Sequence, residues 1–358
     1  MSASSSQVVP WPPVRNTPLV TPPKLFRGSS FFPTFTLITT PIVDAPTVIP
    51  KNAPRRLLFF TPVLLGYMST RDATLLRLVC RTMRAAVTVF PWKDVRTRVS
   101  GLLYHWRTSF PHAIAINISC RRDLTDGQFV HLEGLDTISL SMIDVRGLSA
   151  PLPTPLPTDT TTNRPCRNHA FTDTGLANYL HSVRELDVSF CEHLTDKAFV
   201  NMPHLEQLNI SFLNRKRLTD KAIVGKVLLR RLSISGCTNL TDAALVDLPL
   251  LEELNASHCP LLTDNAFIHL TKLRGLRSCW NRQLTNKAYA QAPFTHVELL
   301  DISFNPRLTA AAFSSLSPDI HVSIKATGCS PSAIAAAKNG GQFTSSCYYV
   351  KDECCPVM

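Results

Sequence analysis

Short alternations of apolar and polar residues recur along the middle of the chain at nearly constant spacing. The segment LDVSFCEHLTDKAF begins at Leu186, and matching segments begin at residues 208, 232, 254, 276 and 300, in steps of 22, 24, 22, 22 and 24 residues. Weaker copies begin at Ile116, Ile138 and Val322. A repeated unit of this length predicts a solenoid, because one unit cannot bury its own apolar side and needs a neighbour.

Each unit combines a strand signal with a helix-start signal. The alternation over residues 186–189 fits a short strand that buries one face. A threonine follows in eight units, from Thr125 to Thr309, and we expect it to cap a helix. Aspartate comes next in six units, where it would complement the helix dipole. A large apolar residue four positions after the threonine is expected to point into the core.

A second apolar pattern lies ahead of the repeats, in residues 57–95. Its spacing is helical, and Ser69 with Asp72 three residues on resembles a capping box. We expect a compact helical module over residues 56–96, too small to be very stable by itself. It should lean on the first repeat or on a partner.

Three segments lack such periodicity. Residues 1–55 contain 11 prolines and are predicted to be a disordered Pro/Ser/Thr-rich tail. The Pro/Thr-rich segment 147–169 is predicted to be a loop insertion, since it explains the 48 residues between the starts at Ile138 and Leu186. Residues 338–358 are predicted to form a flexible tail.

Cysteine usage and charge narrow the function classes. No apolar signal segment begins the sequence, so we expect the 11 cysteines to be reduced and the protein to be cytoplasmic. The net charge of +11 suits acidic partners, but it is scattered and has no interleaved aromatic residues, so no nucleic acid is expected. No phosphate loop, zinc-type cysteine pair or nucleophile elbow occurs in the sequence, and we predict neither enzymatic activity, nor a cofactor, nor a metal.

The pair His258-Cys259 is the nearest approach to a reactive site. Cys259 stands five residues after the start of its unit, and four other units have cysteine or asparagine at the same position. Both residue types can bond to turn backbone, so a structural role is predicted for this cysteine. His258 has no histidine counterpart in the neighbouring units and is expected to be exposed on a turn. The equivalent cysteine and asparagine positions are Cys191, Cys237, Asn281 and Asn305.

The repeated frame resembles the leucine-rich repeat in its cysteine-containing variety, over roughly residues 112–335. The pattern LxxLxLxxC/N is present as Leu251-Leu254-Ala256-Cys259 and as Val297-Leu300-Ile302-Asn305. The resemblance implies an α/β solenoid with parallel strands on the concave side and short helices on the convex side. Such solenoids offer an extended concave surface for proteins. The predicted target-binding residues flank the buried strand positions: Glu185, Asp187, Gln207, Asn209, Arg231, Glu253, Asn255, Arg277 and Asp301.

The helical module resembles the F-box, through LLGYMSTRD (64–72), LRLVCRTMR (76–84) and Trp92. The match lacks the leading Leu-Pro, has Pro62 within the first helix, and has Met83 where tryptophan is usual. The resemblance implies docking to a Skp-type adaptor on a cullin ubiquitin ligase. A leucine-rich-repeat scaffold with no ubiquitin-ligase link, capped by this module, is the alternative. The implied adaptor contacts, or core residues of the module, are Leu64, Leu65, Met68, Leu75, Leu76, Leu78 and Val79.

The sequence ends in Cys355-Pro356-Val357-Met358, which matches a prenylation box. A terminal methionine favours a farnesyl group on Cys355, and Cys354 offers a site for a palmitoyl chain. Two lipids are needed for stable membrane anchoring. The pattern therefore predicts a membrane tether for an otherwise cytoplasmic chain.

Overall fold

Ten short parallel strands form one continuous sheet, with strand order identical to chain order. The computed structural model describes residues 62–121, 123–141, 171–213 and 217–313, with two further strands beyond them. Side-by-side parallel strands in sequential order define a solenoid, in agreement with the predicted α/β leucine-rich-repeat architecture. The strands are β1 (Ala115–Asn117), β2 (Thr137–Ser139), β3 (Glu185–Asp187), β4 (Gln207–Asn209), β5 (Arg231–Ser233), β6 (Glu253–Asn255), β7 (Gly275–Arg277), β8 (Leu299–Asp301), β9 (His321–Ser323) and β10 (Phe343–Thr344).

The sheet register follows the sequence frame. The central residue of every strand from β1 to β9 is the residue at which a repeat was predicted to begin, and each pairs with its counterpart in the next unit. Ile138 pairs directly with Leu186, so β2 and β3 are neighbours although 48 residues separate these two positions. The predicted insertion 147–169 lies between them and outside the described residues.

The convex side differs from the expectation of regular short helices. Among the described residues, only two repeats form an α-helix there, α5 (Asp173–Tyr179) and α6 (Asn286–Ala290). Because a 3-10 helix rises about 2.0 Å per residue against about 1.5 Å for an α-helix, it crosses the back of a 22–24-residue unit with fewer residues. The 3-10 segments are Asp126–Leu132, Asp196–Phe199, Asp220–Ala222, Asp242–Leu245 and Ala310–Phe313.

The threonine and aspartate of the frame connect neighbouring repeats. Thr195 caps its own segment by accepting from the Lys197 amide, as predicted. Its backbone N–H and hydroxyl also donate to the two carboxylate oxygens of Asp173 in the preceding unit, at 2.8 and 2.6 Å. The same two-bond pairing recurs for Asp126–Thr172, Asp196–Thr219, Asp220–Thr241, Asp242–Thr263 and Asp264–Thr285, and Asn286 replaces the aspartate opposite Thr309. The aspartate is thus a bridge between repeats, a role beyond the predicted dipole effect.

In the described residues from 62 onward, four helices precede β1: α1 (62–67), α2 (Thr70–Val79), α3 (Arg81–Val89) and α4 (Leu103–Ser109). Pro62 stands at the first position of α1, where a proline costs no hydrogen bond. Ser69 caps α2 and accepts from the Asp72 amide at 3.1 Å, as the capping box predicted. Trp92 is fully buried and donates to the carbonyl of Val87, which ties the end of α3 to the segment that follows.

One hydrophobic core runs through the helical module and the repeats. Ala73, Val87 and Trp92 of the module belong to the same buried cluster as the repeat residues. The module therefore closes the first end of the solenoid. At the other end, β10 lies within the segment 338–358 that the sequence predicts to be a flexible tail. Backbone pairing with β9 requires no side-chain periodicity, which is why the sequence pattern missed this strand. Within the described chain, none of the helices is both long and apolar enough to span a bilayer.

Candidate interaction surfaces

The first candidate surface is an exposed apolar stripe on the helical module. Leu75, Leu78 and Val79 are spaced i, i+3 and i+4 and therefore share one side of α2. Leu78 is 75% exposed, whereas Ala73 on the same helix is fully buried. On α1, Val63, Leu64 and Tyr67 are exposed at positions i, i+1 and i+4. We call these six residues the module stripe.

The structure divides the seven predicted adaptor residues into two groups. Leu64, Leu75, Leu78 and Val79 are exposed, and they belong to the module stripe. Leu65 is only 2% exposed and lies in the core, so it is not available for contact. Met68 and Leu76 are partly buried and pack on that core. Helical spacing could not separate the groups, because both sides of α2 carry leucine.

The second candidate surface is the concave face of the sheet. All nine predicted target-binding residues lie in β3–β8 on either side of the buried leucines, and all nine are half-buried. The four Asp and Asn residues among them also have a local task. Each accepts a hydrogen bond from the backbone N–H of the serine two residues on, which closes the turn after the strand. These residues are Asp187, Asn209, Asn255 and Asp301, at 2.9–3.3 Å.

Charges on this face pair with each other across repeats. Arg231 lies 3.3 Å from Glu253, and Arg277 lies 3.7 Å from Asp301. Gln207 donates to Glu185 at 2.8 Å. A parallel file one residue earlier in the units forms the pairs Arg184–Glu206, Arg230–Glu252 and Arg274–Glu298. A partner must compete with these pairs, so the concave face offers less unpaired charge than its sequence indicates.

Two carboxyl groups on the concave face, those of Glu185 and Asp187, have raised pKa values. Burial raises the pKa of Glu185, while the hydroxyl of Thr137, which donates at 3.0 Å, acts in the opposite direction. Burial also raises the pKa of Asp187 above its ordinary value, against the effect of the Ser189 N–H. Both carboxylates therefore retain a proton to higher pH than free carboxyl groups do.

The cysteine and asparagine positions stabilise the turn at the inner edge of the stack. The Cys259 thiol is fully buried and donates to the carbonyl of Ile234 in the preceding unit, at 3.2 Å. Asn281, in the same slot one unit later, donates to the Ala256 carbonyl at 2.7 Å. Burial raises the pKa of the Cys237 thiol to about 12, which keeps it in the unreactive thiol form. No cluster of three potential metal ligands occurs among the residues that the structure describes.

The residue before that slot lies on a turn, as expected, but it is not exposed. His258 is half-buried, with a backbone φ of 57°, and its ring stacks on Trp280 at 5.6 Å. It is therefore part of a row and not an isolated exposed residue. We define the aromatic row as the rings at this position, one per unit: Phe190, Phe212, His258, Trp280 and Phe304.

The signal for this row was in the sequence. These residues stand at the same position of their units, four residues after the central strand residue, and five of the six consecutive units from Phe190 to Phe304 carry a ring there. The remaining unit has Gly236. The predicted lipidation residues Cys354 and Cys355 lie outside the described residues.

The fold of this chain is similar to that of several solved structures. No protein-family model matches the chain, and no curated protein matches it. Similar solved structures include a TLR13–ssRNA13 complex, with a TM-score of 0.47 and 18% identity over 70% of this chain. The mouse RP105/MD-1 complex matches with a TM-score of 0.47 and 21% identity over 69% of this chain. The yeast Rad7–Elc1 complex matches with a TM-score of 0.38 and 17% identity over 62% of this chain. The matched region covers 35%, 40% and 70% of those chains, respectively.

Proposed function

We propose that this protein is a non-enzymatic substrate-recognition subunit of a Skp/cullin-type ubiquitin ligase. In this proposal the helical module binds the Skp-type adaptor, and the solenoid binds the target protein. The module stripe is the observation that carries the first half. Its six large apolar side chains remain exposed although other residues of the module are buried in the core that it shares with the repeats.

The physical argument concerns the cost of that exposure. A fully buried Leu or Val side chain contributes about 1.5–3 kcal/mol relative to an exposed one. Solvated apolar residues on one side of a helix are typical of a surface that a partner covers. Leu75 is 65% exposed and Val79 is 69% exposed, and both lie opposite the side of α2 that packs inward.

A second candidate function follows from the continuous core. Because Ala73, Val87 and Trp92 join the core of the repeats, the module also acts as an end cap. A leucine-rich-repeat scaffold without a ligase link would need this cap and no adaptor. The two candidates differ in whether the module stripe has a partner.

The test is a binding measurement with a purified Skp-type adaptor and the full chain. Leu75→Asp with Leu78→Asp places two charges on the exposed side of α2. The proposal predicts loss of adaptor binding by about a hundredfold or more, because two charged groups would be buried without partners. Circular dichroism and thermal melting of the variant should match the parent protein.

The matched control is Val200→Asp, since Val200 is 70% exposed but lies on the solenoid. It should leave adaptor binding unchanged. If the parent chain does not bind the adaptor where an established F-box protein does, the scaffold is the better description. Equal binding by the Leu75/Leu78 variant would remove the module stripe from the proposal.

A further inference from the structure

The aromatic row adopts an unfavourable backbone conformation. Phe212, His258 and Trp280 have φ values of 55°, 57° and 61°, in the left-handed region that bulky residues rarely enter. Every residue with a Cβ atom is less stable there than in the right-handed conformation, because the Cβ atom comes too close to the following carbonyl oxygen. A repeated cost of this kind needs a compensating benefit from the side chains.

The backbone itself does not require rings at this position. Gly236 occupies the slot with a φ of 74°, and its N–H donates to the Ser257 carbonyl at 2.9 Å. His258 and Trp280 make the equivalent bonds to the next unit, at 2.9 and 3.2 Å. Glycine would serve the turn at lower cost, so the benefit of the rings lies elsewhere.

Stacking accounts for part of the benefit and determines what the row exposes. The Trp280 ring lies between His258 at 5.6 Å and Phe304 at 4.4 Å, and both neighbours are within 13° of parallel. The faces of Trp280 are therefore covered by other rings. Trp280 remains half-buried rather than buried, and because both of its faces are covered, its edge carries the remaining exposure. Ring edges bear the positive part of the aromatic quadrupole and favour anions.

Two arginines follow these rings closely along the chain. Arg282 follows Trp280 by two residues, so their Cα atoms are at most about 7 Å apart. Arg307 follows Phe304 by three residues. Both guanidinium groups belong to exposed residues and have no ion pair in the described part of the chain, unlike Arg231 or Arg277 on the concave face.

We infer that His258, Trp280 and Phe304, with Arg282 and Arg307, form a binding site for an extended acidic peptide segment of a partner protein. Carboxylates of the segment lie at the ring edges and pair with the two arginines. Its chain crosses three adjacent repeats along the carboxyl ends of β6, β7 and β8. This inference rests on the target-binding half of the proposed function and names the chemistry of the target.

Single-stranded nucleic acid is the competing anionic ligand, and the geometry disfavours it. Bases bind protein aromatics by stacking on a free ring face. Both faces of Trp280 are occupied by its neighbours. At Trp280 the available contacts are the ring edge and the guanidinium groups that follow in the chain, which suit carboxylates better than bases.

The experiment begins with a displayed library of random twelve-residue peptides, selected on the immobilised full chain. We expect enrichment of Asp and Glu, and binding that weakens with salt because the charges are exposed. Titration of the selected peptides should change the fluorescence of Trp280, since the other described tryptophans, Trp92 and Trp106, are buried. Arg282→Gln with Arg307→Gln should weaken binding by about tenfold.

Trp280→Gly tests the ring without straining the turn, because Gly236 shows that glycine fits the same slot. We expect it to weaken peptide binding by about thirtyfold while the fold is retained. The matched control is Arg71→Gln, an exposed arginine on α2, which should have no effect. Peptides without acidic enrichment, or acidic peptides that bind the Trp280 and arginine variants as tightly as the parent, would refute the inference.

A single-stranded dT12 oligonucleotide that displaces the selected peptides and binds more tightly would also refute it, in favour of nucleic acid. The two proposals fail separately. Loss of peptide binding in Trp280→Gly should leave adaptor binding intact, and the Leu75/Leu78 variant should still bind peptide. Absence of adaptor binding with peptide binding intact would refute the ligase function alone.

Discussion

The pairing of aspartate and threonine across repeats predicts how single substitutions affect the whole solenoid. Asp220 accepts the Thr241 backbone N–H at 2.8 Å and the Thr241 hydroxyl at 2.7 Å, and both residues are half-buried. Asp220→Ala removes both bonds and leaves that N–H without its partner. A hydrogen bond to a charged group contributes about 1.5–3 kcal/mol, and partial exposure reduces it. We therefore expect a loss of about 2–3 kcal/mol in the free energy of unfolding.

Asparagine should be tolerated far better at this position. Asn286 makes the same bridge in the natural chain, because its amide oxygen accepts the Thr309 N–H and its amide nitrogen donates to the Thr309 hydroxyl. Asp220→Asn should consequently cost only about 0.5–1 kcal/mol, the difference between charged and neutral bonds. Asp247→Ala is the matched control, because Asp247 is exposed and its substitution breaks none of these bridges. This control should change the free energy of unfolding by less than about 0.5 kcal/mol.

Urea unfolding followed by circular dichroism measures these three variants. Hydrogen exchange shows which repeats lose stability, because stability in a solenoid depends on contacts between neighbouring repeats. Asp220→Ala should lose protection mainly in the units on either side of the broken bridge. The reasoning fails if Asp220→Ala unfolds at the same urea concentration as Asp247→Ala. It also fails if Asp220→Asn is as destabilising as Asp220→Ala.

Three further predictions concern buried or strained positions. In the folded protein, Cys80 should react with a thiol reagent at pH 8 and Cys237 should not, because burial raises the pKa of Cys237 to about 12; equal labelling rates by mass spectrometry would contradict this. Gly236→Ala should lower the free energy of unfolding by about 1–3 kcal/mol, since φ is 74° and the added Cβ would lie 2.5 Å from the Phe212 ring; an unchanged thermal midpoint would be inconsistent with it. Asp187→Asn should raise the free energy of unfolding at neutral pH. The reason is that burial raises the pKa of Asp187, so the parent protein loses stability as the pH rises from the unfolded-state pKa to the folded-state pKa. Urea unfolding from pH 4 to 8 should show that the stability difference between variant and parent becomes smaller in acid.

The sequence by itself determined the repeat. Apolar spacing located the centre of each strand from Ile116 to Val322, and identical turn residues located the caps. This was possible because strand alternation and helix capping depend on residues a few positions apart. The cysteine and asparagine slot was identified for the same reason, since its partners are backbone atoms that every unit repeats.

The tertiary structure alone decided which side chains face a partner and which face the core. Leu64 and Leu65 are neighbours on α1, and leucines lie on both sides of α2, so only packing distinguished the inward Leu65 and Leu76 from the exposed Leu75 and Leu78. The stacking of His258 on Trp280 and the bridge from Asp220 to Thr241 join residues 21–22 positions apart. Such contacts form only when the units stack, because stacking brings side chains that are one repeat apart in the sequence next to each other in space.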